Sequence, residues 1–148
     1  MDRKQLLNRL DRPWRAFTEA FTGLDESFLT APEIEGWSVK DLIGHISSWE
    51  GETLKALPLV LEGRRPPRYG GIDRFNAGQI ERRRGRDLAD VLKELADTHS
   101  RLIRYLEAAP EAAFATETRF RHRLRLDTYS HYPEHTEVIL AWRKARGK

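Results

Sequence analysis

Cysteine is absent from this 148-residue chain, and that absence excludes more chemistry than any other feature of its composition. Without cysteine there are no disulfides, no protein thiol nucleophile and no thiolate ligands for a metal ion. Any thiol chemistry must therefore use a thiol carried by a small molecule. Long apolar runs are lacking as well, because the longest, residues 54–61, is far too short to cross a bilayer. No export signal opens the sequence, so we expect a cytoplasmic protein with no membrane partner.

The motifs of several common enzyme classes are missing too. There is no Ser-His-Asp ordering, no phosphate-cradling glycine loop and no dinucleotide fingerprint. A strong excess of one charge is also lacking, since 26 basic residues face 23 acidic ones and the net charge is +3. Arginines do cluster at residues 64–68, 82–86 and 119–125, and such clusters can neutralise phosphates. Because no aromatic residues alternate with them, we expect a solvated mixed-charge surface and do not expect nucleic acid as a partner.

Apolar residues recur at helical spacing in four long segments. These predict a first helix opening near Asp2, a second from Val39 to Leu61 behind a Ser38–Asp41 capping box, a third from Asp87 to Pro110, and a last from about Thr128 to Arg146. The segment GRRPPRYGG, residues 63–71, is too rich in proline and glycine for regular structure and predicts a crossover loop. We therefore predict that residues 1–148 form a single all-α domain, a four-helix bundle with a long crossover between the second and third helices.

One segment departs from the helical pattern. Residues 119–126 read Arg-Phe-Arg-His-Arg-Leu-Arg-Leu, with basic residues at every second position and mostly apolar ones between them. A period of two is typical of an extended strand. This pattern predicts an extended segment with one basic face and one mostly apolar face.

The histidines carry the most specific signal for function. His131 and His135 lie four residues apart on a helical stripe that is predicted to face the core, and His45 occupies the core side of the second helix. Neutral imidazole is the commonest protein metal ligand, and this spacing lets two rings reach one ion. We therefore predict a metal held by His45, His131 and His135, with the second and fourth helices running parallel so that the rings meet. His99 and His122 have no such partner and are interpreted as ordinary packing or surface residues.

The residues around these histidines are open to more than one interpretation. Trp49 could form a wall of the site or belong to the core, and Asn76 could contact a substrate or hold the loop. Two tyrosines, Tyr129 and Tyr132, could donate to an oxygen at the site. Two carboxylates beside the histidines, Glu134 and Glu137, point off the stripe and are more typical of a solvated face.

Three segments together resemble a known family. GWSVKDLIGHISSWE, IDRFN and DTYSHYPEHTEVILAW resemble the DinB/YfiT-like metalloenzymes, in particular the branch that includes the ClbS and DfsB four-helix-bundle proteins. The resemblance extends from the first helix to Trp142. It implies a long connection between the second and third helices and assigns His45, His131 and His135 as the metal ligands. It further implies a divalent ion such as nickel or zinc, and homodimers.

Two functions remain open at this point. The first is a metal-dependent enzyme acting on an electrophilic metabolite or toxin, either a thiol S-transferase with a low-molecular-weight thiol as co-substrate or a small hydrolase. Three neutral imidazoles suit that role because they leave the charge of the ion intact and at least one coordination position open. The alternative is a non-catalytic bundle that binds a metal or ligand in a sequestering or resistance role. The expected partners are a small-molecule substrate and a second copy of the chain.

Overall fold

Helices account for all the regular structure of the chain. A computed structural model describes residues 1–148 and contains seven α-helices, one 3-10 helix and no strand. The elements are α1 (Arg3–Phe21), α2 (Glu26–Leu29), α3 (Val39–Leu61), α4 (Ile72–Arg84), α5 (Leu88–Ala108), the 3-10 helix Glu111–Phe114, α6 (Arg119–Asp127) and α7 (Tyr132–Ala145). The predicted all-α fold is confirmed. No helix combines the length and the apolar character needed to span a bilayer.

Side-chain caps start the two helices whose beginnings were predicted most closely. At α3, the Ser38 hydroxyl accepts from the Asp41 backbone at 3.0 Å, and the Asp41 carboxylate accepts from the Ser38 backbone at 2.9 Å. Asp2 and Gln5 form the equivalent capping box at α1. Each box satisfies backbone donors that the first turn of a helix leaves without partners. Local sequence therefore determines where these two helices begin.

The helix α3 is the centre of the molecule. Its residues 42–50 are buried without interruption, because α4, α5, α6 and α7 all pack against it. One cluster of 24 buried residues forms the core, to which α1 contributes Leu6, Leu10 and Phe17. A side chain on this part of α3 faces other protein groups whichever way it points. His45 is consequently held in the interior.

The last helix runs opposite to α3. Along α3, contacts with the end of the chain fall in reverse order: Thr53 meets Asp127, Glu50 meets Tyr132, and His45 meets His135. Contacts between α1 and the end of the chain fall in the same order along both segments: Arg9 contacts Tyr129, Trp14 contacts Tyr132, and Ala20 contacts Arg143. The predicted parallel arrangement of the second and fourth bundle helices is therefore wrong. The rings meet because His131 and His135 lie at the start of α7 and His45 lies inside α3.

The segment predicted to be extended is a helix. In α6, Phe120 and Leu124 are four residues apart and both are buried, so they form the core side of a helix. The Thr118 hydroxyl caps this helix by accepting from the Arg121 backbone at 3.1 Å. A period-two pattern over only eight residues also places apolar residues at helical spacing, and packing against α3 favours the helix.

The boundary of the last helix also differs from the prediction. The backbone leaves helical geometry at Thr128 (φ −126°, ψ −96°), and α7 begins only at Tyr132. The buried side of α7 consists of Tyr132, Thr136, Ile139 and Trp142. Val138, which lies three residues after His135 on the same stripe, is 40% exposed. The stripe that carries His131 and His135 thus lies at the edge of the core rather than in its middle.

Candidate metal centre

His45 is positioned by α3 and covered by a tight turn before it. The turn joins Ile34 and Trp37 by two backbone hydrogen bonds of 2.9 Å, and Glu35 and Gly36 adopt positive φ angles of 51° and 87° within it. This geometry places the Trp37 ring edge-on against His45, with ring centroids 5.5 Å apart. Only 5% of His45 is exposed. The turn therefore shields the imidazole from solvent.

The chain between α6 and α7 positions the other two histidines. The Thr128 carbonyl accepts from the backbone of His131 at 2.8 Å and of Tyr132 at 2.9 Å, which forms the turn that leads into α7. Pro133 occupies the first turn of α7, where its missing backbone donor costs least. His131 and His135 are then one helical turn apart and both face α3. Their rings lie 4.7 Å apart between centroids.

All three histidines present the same ring nitrogen to a common point. Nε2 of His131 lies 3.1 Å from Nε2 of His45 and 3.0 Å from Nε2 of His135. The three possible ligand atoms lie within 4.8 Å of one another. The structure therefore brings together the three histidines that the sequence singled out, although His45 and His131 are 86 residues apart.

Burial keeps these imidazoles neutral. Desolvation, with smaller contributions from the neighbouring His135 and His131, lowers the pKa of His45 from 6.5 to about 3. The pKa of His131 falls to about 4, again mainly through desolvation, although the Asp127 backbone partly offsets the effect. The pKa of His135 falls to about 4 through desolvation and the charge of His131. Neutral imidazole is the form that binds metal ions.

Hydrogen bonding among the rings alone cannot satisfy this cluster. A neutral imidazole nitrogen carries either one hydrogen or one lone pair. Nε2 of His131 can therefore make only one of its two short contacts as a hydrogen bond. A shared cation would accept lone pairs from all three Nε2 atoms at once, so the residues present fit a divalent metal ion.

The structure shows where each supporting residue lies. Trp49 donates from Nε1 to the Asn76 side-chain oxygen at 2.8 Å, so these two residues join α3 to α4. The Tyr132 hydroxyl is fully buried and donates to Glu50, away from the three histidines. Tyr129 lies against the Arg9 guanidinium. Two carboxylates, Glu134 and Glu137, are exposed, as their position off the stripe predicted.

Sequence reasoning missed a buried carboxylate on α3, five residues after His45. Glu50 is completely buried and accepts from the Tyr132 hydroxyl and from Nδ1 of His99, the latter at 2.8 Å. His99 also stacks on Trp14 with ring centroids 3.5 Å apart. His99 is therefore a packing residue, which is one of the two roles that the sequence predicted for it, and its partners are Glu50 and Trp14. The only signal for Glu50 in the sequence was the presence of an acidic residue on the apolar side of α3. The partners of Glu50 are distant in sequence, so they gave no further signal.

Comparison with known proteins identifies the family and the relatives of this fold. The model of the DinB superfamily matches residues 9–138, and the chain belongs to that superfamily. Among solved structures, the sibling lethal factor precursor DfsB is 12% identical with a TM-score of 0.82, covering 99% of this chain and 97% of that one. The colibactin self-resistance protein ClbS, solved in complex with a dsDNA, is 12% identical with a TM-score of 0.77, covering 93% of both chains. No curated protein sequence matches this one significantly.

These findings confirm one expectation and correct another. The predicted family is confirmed by the superfamily model, and the two structural relatives share the predicted fold. The expectation that nucleic acid is not a partner is wrong as a general inference, because a protein of this fold was solved with double-stranded DNA. That expectation rested on the near balance of total charge and on the lack of aromatic residues among the arginines, and neither reports how basic residues are distributed over a surface.

Proposed function

We propose that this protein is a metal-dependent enzyme that acts on an electrophilic small molecule, with His45, His131 and His135 holding one divalent transition-metal ion. The observation that carries the proposal is the convergence of three Nε2 atoms from neutral, desolvated imidazoles. Three protein ligands leave at least one coordination position open, which is typical of catalytic rather than structural sites. When bound there, the ion would supply Lewis acidity to a water or a small-molecule thiol.

The protein residues contribute position, neutrality and shielding. His45 stays neutral because Trp37 and the core exclude water from it. His131 and His135 are fixed by the turn at Thr128 and the first turn of α7. Since the chain has no cysteine, a thiol transferred in the reaction must come from a low-molecular-weight co-substrate.

A cavity large enough for a small molecule is linked to the centre through Trp37, although none of the three histidines lines it. A cavity of about 480 Å³ separates the Trp37 turn from α4 and is lined by Asn76, Ile80 and Arg84 among others. Trp37 therefore contacts His45 and also lines this cavity. The volume is within the range of about 300–1,000 Å³ found for small-molecule sites.

Two measurements test the proposal together. Protein purified without an affinity tag and reconstituted with nickel or zinc should hold about one ion per chain, and His45→Ala, His131→Ala and His135→Ala should each hold less than about a tenth of that. The same proteins are then assayed with bacillithiol, mycothiol or glutathione and a model electrophile such as monochlorobimane. Turnover should occur in the parent and disappear in His135→Ala. His122→Ala, which changes an exposed histidine, should behave like the parent.

The outcomes separate the enzyme from its alternative. One bound ion with no turnover of any thiol or ester substrate would favour the non-catalytic sequestering or resistance role. Failure to bind any transition metal, with the fold intact, would contradict both.

DNA binding is a second candidate function, because the relative ClbS was solved with dsDNA. In this chain Arg83, Arg84 and Arg86 are in ion pairs, whereas Arg65 and Arg74 are exposed and have no carboxylate partner. Fluorescence anisotropy of a labelled duplex at rising salt tests this function. Each phosphate contact contributes about 0.9 to the slope of log affinity against log salt, so Arg65→Gln and Arg74→Gln should each reduce that slope by about 1. Absence of binding at low salt would exclude it.

A further inference from the structure

A second cavity lies on another side of α3. It has a volume of about 390 Å³ and is bounded by the crossover segment of residues 62–71, α3, α4 and α5. None of the three histidines lines it, and neither does Trp37. The cavity is therefore a separate site from the candidate metal centre.

The inner wall of this cavity is polar although it is buried. Ser47, Ser48 and Thr98 line it and are 3%, 5% and 7% exposed. The Ser47 hydroxyl donates to the Ile43 carbonyl at 3.2 Å, and the Ser48 hydroxyl donates to the His45 carbonyl at 2.8 Å. Because these hydrogens are used inside α3, the two oxygens present lone pairs to whatever enters. They can accept hydrogen bonds from hydroxyl groups of a ligand.

Basic side chains outnumber acidic ones around the cavity, and each of the two carboxylates already has a basic partner. Glu52 is paired with Lys55 at 2.9 Å. Glu94 accepts from Arg83 at 2.6 Å and from Arg86 at 3.0 Å. Burial acts to raise the pKa of Glu94, but the hydrogen bonds and charges of these two arginines outweigh it and lower the pKa. Both acidic residues are thus matched by partners of their own.

Two guanidinium groups remain at the rim. Arg68 comes from the crossover segment and Arg82 from α4, and both line the cavity, are exposed and have no carboxylate partner. A guanidinium binds carboxylate or phosphate groups through paired donors. The cavity therefore combines an anion-binding rim with an inner wall that accepts from hydroxyl groups.

We propose that this cavity binds a small polyhydroxylated anion, with Arg68 and Arg82 on its phosphate or carboxylate group and Ser47 and Ser48 accepting hydrogen bonds from its hydroxyl groups. The ligand would be of sugar size, in keeping with the volume of the cavity. The site does not depend on the proposed metal or on the proposed reaction.

Isothermal titration with glucose-6-phosphate and gluconate as probes tests this inference on the full chain. Glucose-6-phosphate or gluconate should bind the parent, and Arg68→Gln and Arg82→Gln should each weaken binding by about tenfold. Arg65→Gln and Arg74→Gln are the matched controls. Arg65 lies in the crossover segment and Arg74 in α4, both are exposed, and neither arginine lines the cavity. Both controls should keep parental affinity. His135→Ala should also keep parental affinity for these two probes, even if it abolishes metal binding.

Three results would overturn the inference. The first is that neither probe binds the parent at millimolar concentration. The second is that inorganic phosphate alone binds as tightly as glucose-6-phosphate and gluconate does not bind, which would leave no role for the hydroxyl groups. The third is an equal loss in all four arginine variants, which would indicate a diffuse positive surface of the kind that DNA binding uses.

Discussion

Burial of the three histidines makes the metal-free protein sensitive to acid. An imidazole with an ordinary pKa of 6.5 takes up a proton readily in the unfolded chain, whereas His45, His131 and His135 resist protonation in the fold. The unfolded state therefore binds more protons than the native state between about pH 6.5 and pH 4, so the free energy of unfolding falls as pH falls through this range.

We accordingly expect the metal-free protein to lose stability steadily below about pH 6.5, and His135→Ala to lose it less steeply because one group has been removed. Denaturant unfolding of the chelated protein at several pH values measures both slopes. His122→Ala should show the parental slope. A flat profile in the parent over this range would mean that the three rings are not held neutral by the fold.

Gly44 allows α3 and α4 to approach each other. A Cβ at this position would lie 2.7 Å from Cδ of Arg83. Arg83 is only 7% exposed and is held by Glu94 at 2.6 Å and by the Gln79 carbonyl at 3.1 Å, so it cannot move aside without losing buried hydrogen bonds.

Gly44→Ala should lower the free energy of unfolding by about 1–3 kcal/mol, as overpacking of a filled interior usually does. The matched control is Gly51→Ala in the same helix, where an added Cβ meets nothing within 4 Å. That change should stabilise the protein by up to about 1 kcal/mol, because alanine favours helix over glycine. Equal effects of the two substitutions in urea unfolding would show that the contact with Arg83 is not limiting.

The helix α3 has the best-defined beginning of any element, and its cap can be tested separately from the site. Ser38 is 4% exposed and bonds the Asp41 backbone, whereas Asp25 at the start of α2 makes no side-chain cap bond. Ser38→Ala should therefore cost about 1 kcal/mol in the free energy of unfolding, and Asp25→Ala much less. Thermal melts of both variants compare the two costs. Metal stoichiometry should be unchanged in Ser38→Ala, since His45 lies beyond the first turn.

Local sequence signals predicted some helices correctly and others not. The bounds Val39–Leu61 of α3 were predicted correctly because a capping box, a continuous apolar side and a terminal glycine all agreed. For α6 the only signal was alternation over eight residues, and that alternation also fits a helix with Phe120 and Leu124 on one side. Contact with α3 decides between the strand and the helix, and α3 ends 58 residues before α6 begins.

The candidate site, too, was predicted only in part from the sequence. Spacing and residue type identified His45, His131 and His135 as a group, and the structure brings them together. The direction of α7 could not be predicted, because the three rings can meet whether the helices are parallel or antiparallel. Trp37 and Glu50 also went unnoticed, since their roles depend on a tight turn and on partners from other helices.

An ion shared by α3 and α7 would stabilise the fold as a whole. A ligand that binds only the native state at about a hundred times its dissociation constant adds about 2.7 kcal/mol. We therefore expect a chelator to lower the melting temperature of the metal-loaded parent by several degrees. His45→Ala should melt like the chelated parent and should not respond to the chelator.

Two further histidines serve as controls in this experiment. His122→Ala should match the parent with and without chelator. His99→Ala should melt lower in both conditions, because His99 bonds the buried Glu50 and stacks on Trp14, yet its response to the chelator should be parental. If chelation changes none of the melts, no metal links the two helices.

The pairing of α1 with α7 has a consequence for how the protein is made. Arg143 of α7 donates to the Ala20 carbonyl of α1 across 123 residues, so α1 is synthesised well before the helix against which it packs. While α7 is still inside the ribosome, Leu6, Leu10 and Phe17 of α1 lack part of their cover. Contacts so far apart in sequence form late and slow folding. The nascent chain should thus expose apolar surface until α7 has emerged from the ribosome, and a chaperone that binds such surface should associate with chains stalled before α7 and dissociate once α7 has emerged.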